Sequence, residues 1–301
     1  MSIAANPGFL LGLIGASIQA SRTPGLHEQE AKEQGLRAIY RLIDLDLLGL
    51  GAAALPELLC SAERMGFNGL NITHPCKQAV LPLLDELSPD AEAIGAVNTV
   101  LLRDGRRIGH NTDCSGFAEN FRRGLADAAC DHVVQLGAGG AGAAVARAML
   151  QIGARRLSIF DVDSEKSQAL AARLNSENGE VRAANGEHSE RRAGVVTDLA
   201  AAMASAVGLI NTTPVGMAGH PGLPLPADLL RPSLWVAEIV YFPLETPLLR
   251  AACALGCRTL DGGGMAVFQA VEAFRLFTGV TPDAERMRRH FEFMGAASEV
   301  R

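Results

Sequence analysis

Hydrophobic positions recur along this chain in two rhythms. Short apolar runs of strand length alternate with longer stretches in which an apolar residue returns every three or four positions. In the first third, "FLLGLIG" (9–15), "AIYRLIDL" (38–45), "GLNIT" (69–73) and the segment 96–113 read as strands. "GLHEQEAKEQG" and "LPELLCSAERMG" read as helices between them, and Asp104-Gly105 predicts a two-residue hairpin turn within 96–113. A second block opens with "DHVVQLGAGGAGAAVARAMLQIGARRLSIFDVD" (131–163), a strand, a glycine-rich turn, a helix and a strand. Strands follow in 206–217 and 233–243, then a helix over 246–257, a short strand at 258–262, and helices to the end. The polar segment 173–197 predicts a loop-rich surface excursion. Strands alternating with helices over most of the length predict an α/β fold.

At 301 residues the chain suffices for one large or two ordinary domains with a filled core. A net charge of −6, scattered basic residues and 5% aromatic content argue against nucleic acid or an anionic membrane as partner. Arg22 and Lys77 remain available to a small anionic substrate; Arg22 is read as near such a carboxylate or facing solvent, with equal weight. The opening "MSIAANPGFLLGLIG" has no basic leader and a glycine-broken apolar run, so it reads as a strand rather than a signal peptide or membrane span. Six cysteines without CxxC spacing predict reduced thiols and a cytoplasmic protein, with Cys253 and Cys257 as a pair of small buried hydrophobes. No metal site is expected, because His and acidic residues lack ligand spacing, and His27, His74 and His110 are read as structural.

The turn "GAGGAG" sets Gly137, Gly139 and Gly142 in a G-x-G-x-x-G frame, with Ala138, Gly140 and Ala141 between them. The first glycine makes the tight turn, the second admits a pyrophosphate to the backbone, and the third lets helix pack on strand. The helix N-terminus then offers N–H groups and a favourable dipole to phosphate. Asp161 ends the next strand 19 residues beyond Gly142, the position of a ribose-binding carboxylate. Such a carboxylate repels a 2′-phosphate, and "FDVDSEK" has no arginine there, so NAD is expected over NADP. Asp163 or Ser164 is better placed than Asp161 to cap the following helix.

Three polar clusters in the first block follow strand ends: "ASRTPGLHE" (20–28), "NITHPCK" (71–77) and "GAVNTV…GHNTD" (95–113). Their small hydroxyls and amides, with one lysine and one aspartate, suit a polyol that carries a carboxylate. Those clusters, with "GFNGLNITHPCKQAVLPLLDE", "GAGGAG", "NTTPVGM", "YFPLETPLL" and "GGGMAVFQAVEAFRLFTG", resemble the shikimate/quinate dehydrogenase family in content and order. The resemblance runs over nearly the whole chain. It implies an N-terminal α/β substrate domain (1–113 and 265–301, the last helices returning to it) and a Rossmann-type NAD-binding domain (114–264).

The resemblance also implies an NAD-dependent enzyme that interconverts quinate or shikimate with the 3-dehydro acid, as a monomer or homodimer. Its catalytic pair falls on Lys77 and Asp113. Substrate contacts fall on Ser21, Thr23, Asn71, Thr73, Asn98, Tyr241 and Gln269, and cofactor contacts extend to Thr212 and Gly264. Ala20 stands where shikimate-specific members carry histidine and Thr23 where they carry a second serine, so "SRTP" resembles the NAD-dependent quinate/shikimate branch. The alternatives are a shikimate- or amino-shikimate-directed enzyme using NADP or both cofactors, and a non-catalytic sensor of NAD or a cyclohexane carboxylate. A sensor has no need of the Lys77–Asp113 pair. Cys76 departs from the family's usual aromatic, and Cys114, after "NTD", is read as a small pocket-wall residue.

Overall fold

The computed structural model describes residues 8–178 and 192–299. Two compact units emerge: Met1–Thr112 with Val267–Arg301, and Asp113–Ala266. Both are α/β, built on a mixed sheet in the first and a parallel sheet in the second.

The first unit carries β1 (Gly8–Gly15), β2 (Arg37–Asp44), β3 (Gly69–Ile72), β4 (Glu86–Leu87), β5 (Thr99–Arg103) and β6 (Arg106–His110) in the order β2-β1-β3-β5-β6-β4. Its helices are α1 (Thr23–Glu33), α2 (Leu45–Leu48), α3 (Leu55–Arg64), α4 (Cys76–Ala79) and α5 (Pro89–Ile94). β1 pairs in parallel with β2 and β3, while β5 runs antiparallel to both β3 and β6. The antiparallel part follows from the expected hairpin. Asp104 and Gly105 take φ of 54° and 71°, the two left-handed residues that a two-residue turn of matching twist requires.

The second unit begins within α6 (Thr112–Gly124), which starts where sequence patterning extends a strand to 113. It continues through β7 (His132–Leu136), α7 (Gly140–Ile152), β8 (Arg156–Phe160), α8 (Ser164–Asn178), β9 (Ala193–Val195) and α9 (Leu199–Ser205). β10 (Gly208–Asn211), β11 (Trp235–Glu238), α10 (Pro247–Ala254) and β12 (Arg258–Leu260) complete its sheet. All neighbours pair in parallel in the order β12-β11-β10-β7-β8-β9, so the direction of winding reverses between β7 and β10. β7 is buried along its whole length, as a parallel strand covered on both faces must be. The expected loop over 173–197 is helix up to Asn178 and strand at Ala193–Val195; its centre lies outside the described residues.

α11 (Gly263–Thr278) and α12 (Ala284–Glu299) close the chain, and most of their length belongs to the first unit. Phe277 of α11 packs with Leu11, Leu13, Tyr40 and Leu101. α12 is tied to α1 by Arg286, whose Nε and Nη2 donate to the buried Glu30 carboxylate at 2.8 and 2.6 Å. A second cluster in this unit joins Ile14, Ile72, Leu70, Leu59 and Val97, each a side chain whose burial contributes about 1.5–3 kcal/mol. Cys76 is a member of that cluster and fully buried, so the residue in place of the family's aromatic is a small core hydrophobe, and burial raises its thiol pKa. The cysteine pair at 253 and 257 differs from expectation: Cys257 is buried, but Cys253 lies on the solvent side of α10 and is exposed.

Candidate active site

In the second unit the glycine-rich turn lies at the reversal of winding, where open α/β sheets collect ligands. Gly137 has φ +99°, and a Cβ there would meet Thr212 Oγ1 at 2.6 Å. A Cβ on Gly142 would meet Gly137 O at 2.6 Å, so helix and turn approach as closely as the third glycine allows. Gly139 is exposed, and a Cβ there would meet nothing within 4 Å. The protein itself does not require that second glycine; an incoming phosphate does, and this fits a dinucleotide at the α7 N-terminus with Gly140 and Ala141 in its first turn.

Two side chains brace the turn. Thr212, the first residue after β10, donates from Oγ1 to Leu136 O at 2.7 Å and Gly137 O at 3.0 Å. Asp161 accepts from Ala138 N at 2.7 Å and from Asp163 N at 2.9 Å, which fixes its carboxylate at the end of β8. Asp163 accepts from Glu165 N at 3.1 Å and so takes the capping role. Gly264, in the first turn of α11, faces Asn120 of α6; a Cβ there would lie 2.4 Å from Asn120 Cγ. Tyr241 is 42% exposed on the turn after β11. Asp113 and Cys114 are buried in the first turn of α6, and Cys114 Sγ donates to Gln151 Oε1 at 3.6 Å.

In the first unit the predicted amides form one buried network. Asn71 Oδ1 accepts from Tyr40 Oη at 2.7 Å, and Asn71 Nδ2 donates to Asn98 O at 3.2 Å and Thr99 Oγ1 at 3.0 Å. Asn98 Nδ2 donates to Thr112 Oγ1 at 2.9 Å, while its Oδ1 accepts from Thr112 N at 2.7 Å and Thr99 Oγ1 at 3.1 Å. Thr112 Oγ1 in turn lies 3.5 Å from Gln269 Oε1 on α11. Asn71, Asn98 and Gln269 thus share one network, and buried polar groups satisfied this way hold a single arrangement.

The loop after β1 brings Ser21 and Thr23 together, with Ser21 Oγ 3.1 Å from Thr23 Oγ1. Asp44 anchors that loop: its carboxylate accepts from Ser17 N, Ile18 N and Gln19 Nε2 at 3.2, 3.1 and 2.9 Å. The Gln19 amide and these backbone N–H groups hold the Asp44 pKa below its ordinary value, against its burial. Thr73 N donates to Ile14 O and Ala16 N to His74 O, both at 2.9 Å, so the turn carrying Lys77 is laced to the end of β1. Lys77 is half-buried in α4, and its carbonyl accepts from Val97 N at 2.9 Å. Arg22 is half-buried, and its guanidinium lies 4.9 Å from the centre of the Phe291 ring of α12.

Sequence patterning did not single out Tyr40, Asp44, Thr99, Thr112 or Glu238. For the first two a signal existed. They fall on the buried face of β2, alternating with the exposed Arg37, Ile39 and Arg41, and a polar residue on the buried face of a strand needs a partner.

A parallel sheet with a glycine turn at its winding reversal, and a carboxylate at the end of the next strand, defines the second unit as Rossmann-type. The family comparisons place the chain more closely. The model of the shikimate dehydrogenase substrate binding domain matches residues 13–100, and that of the shikimate 5'-dehydrogenase C-terminal domain matches residues 262–290. A shikimate dehydrogenase (NADP(+)) of Streptomyces avermitilis is 56% identical over 97% of this chain and 98% of that protein. A quinate/shikimate dehydrogenase (NAD(+)) of Corynebacterium efficiens is 51% identical over 94% of this chain and 97% of its own length. Among solved structures, quinate dehydrogenase from Corynebacterium glutamicum in complex with NAD superposes with a TM-score of 0.86 at 48% identity, covering 95% of this chain and 99% of that one. The chain belongs to the shikimate/quinate dehydrogenase family, and it is an oxidoreductase acting on an alcohol group.

Proposed function

We propose that the chain is an NAD-dependent dehydrogenase that oxidises quinate and shikimate at the C3 hydroxyl, and reduces the 3-dehydro acids in reverse. The observation that carries the cofactor choice is Asp161. Its carboxylate is fixed at the end of β8 by two backbone N–H groups, where an anion accepts from ribose hydroxyls and repels a 2′-phosphate. The Corynebacterium relatives support this, being named for NAD or solved with it. The names of the Streptomyces and Arthrobacter relatives favour the second reading, a shikimate-directed enzyme using NADP.

Bound nicotinamide supplies the hydride acceptor. The chain's own residues bind the ring and move the proton. Lys77 either relays the proton lost by the C3 hydroxyl, if its amine is neutral, or holds the developing alkoxide as an ammonium. Asp113 orients Lys77 and shares that hydroxyl. Ser21, Thr23, Asn71, Thr73, Asn98, Tyr241 and Gln269 receive the remaining hydroxyls and the carboxylate, and the networks around Asn71, Asn98 and Ser21 set their directions before substrate arrives. Six free thiols support a reducing, cytoplasmic setting, and we take the enzyme to act as a monomer or homodimer.

The deciding experiment is kcat/KM for quinate and shikimate, each with NAD and NADP. The expected result is turnover of both acids, with NAD preferred by about tenfold or more, as removal of one charge repulsion predicts. Equal or better turnover with NADP establishes the second reading, and no turnover with any of the four combinations ends both.

A further inference from the structure

Glu238, the last residue of β11, is 1% exposed, and no step of the proposed reaction uses it. Its Oε1 accepts from Ile239 N at 3.0 Å, Val240 N at 3.1 Å and Asn211 Nδ2 at 3.0 Å. Its Oε2 accepts from Asn211 Nδ2 at 3.0 Å and Thr246 Oγ1 at 3.1 Å. These donors lie at the ends of two turns. Asn211 closes the segment after β10, donating to Val215 O at 3.0 Å and accepting from Thr213 N at 3.1 Å and Thr213 Oγ1 at 2.7 Å. Ile239 and Val240 begin the other turn, and Thr246 ends it, capping α10 by accepting from Leu249 N at 3.3 Å. One carboxylate therefore joins the turn 211–217 to the turn 239–246, within a single unit.

We propose that Glu238 is a positioning residue whose carboxylate anion holds these two turns in the arrangement that binds the nicotinamide half of the cofactor. The inference rests on the function proposed above, which assigns Thr212 on the first turn to cofactor and Tyr241 on the second to substrate.

The anion is the form the donors fit. Asn211 from β10, Ile239 and Val240 continuing β11, and Thr246 from α10 are all uncharged, and all present hydrogens. A protonated carboxyl must itself donate from one oxygen, and of these groups only the Thr246 hydroxyl can turn to accept. Protonation therefore costs the clamp at least one donated hydrogen bond, because Thr246 accepts from the carboxyl only by turning its own hydrogen away. Burial pushes the Glu238 carboxyl up to about 7 against the pull of its donors, so the change falls within the working range of an enzyme.

The test is the dissociation constant of NADH, read by its fluorescence between about pH 5.5 and 8.5. NADH is the probe because it lacks the 2′-phosphate, which itself titrates near about pH 6. Wild-type affinity is expected to weaken roughly fivefold from pH 8 to pH 6, a coupling of ordinary size, with its midpoint near the Glu238 value of about 7. Glu238→Gln should hold NADH at the weaker, acid-side affinity, within about twofold at every pH. Thr246→Val removes one donor to the anion and should move the midpoint upward, which keeps the test open if the Gln variant fails to fold. Lys77→Ala should keep the wild-type slope.

A flat wild-type profile overturns the proposal, as does a slope surviving in Glu238→Gln, an unmoved midpoint in Thr246→Val, or a slope lost in Lys77→Ala. A pH-dependent NADH affinity without turnover of quinate or shikimate would sink the proposed function and leave the clamp standing. Turnover with a flat profile does the reverse, and no NADH binding at any pH removes both.

Discussion

Gly15 ends β1 against the turn that carries Lys77, and the structure lets the effect of one methyl group there be worked out. A Cβ on Gly15 would lie 2.2 Å from Thr73 Cγ2, 3.0 Å from His74 O and 3.3 Å from Ile18 Cγ2. Carbon atoms in good contact sit about 3.5–4.0 Å apart, so the Thr73 methyl must retreat by more than about 1 Å. Rotating Thr73 moves its methyl but leaves the His74 carbonyl in place. That carbonyl is held by Ala16 N at 2.9 Å, and Thr73 O holds Cys76 N at 2.8 Å, so the displacement passes along the turn to Lys77. Overpacking of this size costs about 1–3 kcal/mol. For a unit of this size the melting temperature should fall by roughly 3–10 °C.

The catalytic cost should exceed the stability cost. A shift of about 1 Å in a reacting group can lower the rate by about 10²-fold. Gly15→Ala is therefore expected to reduce kcat/KM for shikimate and quinate by roughly 10- to 100-fold. NADH affinity, a property of the other unit, should stay within about twofold. Gly8→Ala at the opposite end of β1, where a Cβ meets nothing within 4 Å, is the control and should be neutral. Wild-type kcat/KM in Gly15→Ala, or an equal loss in Gly8→Ala, would refute the argument that the end of β1 sets the lysine turn.

Lys77→Ala should lower kcat by roughly two to four decades while NADH still binds; near-normal kcat removes Lys77 from the chemistry. His27 is fully buried between Tyr40, Phe274 and Phe277, neither ring nitrogen finds a partner among the described residues, and burial lowers its pKa from 6.5 to about 3. It stays neutral in the fold, so its contribution is full above pH 6.5 and is lost as the pH falls from 6.5 toward about 3, by at most about 1.4 kcal/mol per pH unit. His27→Leu should keep or raise stability at neutral pH and flatten the acid loss, read as urea midpoints at pH 5 and 7; an unchanged acid slope would show that other groups cause it. Arg286→Ala strands the Glu30 carboxylate, which is 1% exposed, and should cost about 2–3 kcal/mol, less than a fully buried pair because Arg286 is 30% exposed. Urea denaturation checks this, and a loss under about 0.5 kcal/mol would make the ion pair incidental.

The alternation of strands and helices was legible because burial imposes it. "HVVQL" is continuous because β7 is covered on both faces, and Asp104-Gly105 marks a hairpin because both residues need positive φ. The misreadings have physical reasons as well. α6 starts at Thr112 on a polar segment, "TDCSGFAEN", whose helical register depends on the burial of Phe117 and Phe121 further along. β4 is two residues long, too short for any periodicity to declare it. Cys253 and Cys257 are four residues apart on paper, but α10 ends at Ala254, so the two do not share a helical face.

For the candidate site, the sequence supplied residue types, and the bonds among them were illegible. Asn71 has both amide hydrogens and one acceptor position occupied by Asn98, Thr99 and Tyr40, and Asn98 is tied at both ends to Thr112. Thr212 has its hydroxyl hydrogen engaged on the glycine turn, and Asp161 is fixed by two backbone donors. Each of these four residues therefore has a first task inside the protein, and under the proposed function only its remaining lone pairs or hydrogens are left for a ligand. That division makes the amide positions intolerant of exchange. An aspartate at 98 would offer an acceptor to the Thr112 hydroxyl in place of a donor, and a buried charge with it. The partners that enforce this, Tyr40, Thr99 and Thr112, come from β2, β5 and α6, and no local spacing in the sequence connects them. Orientation is thus a property of the assembled sheet, and a substitution at Tyr40 should be felt at Asn71, 31 positions away.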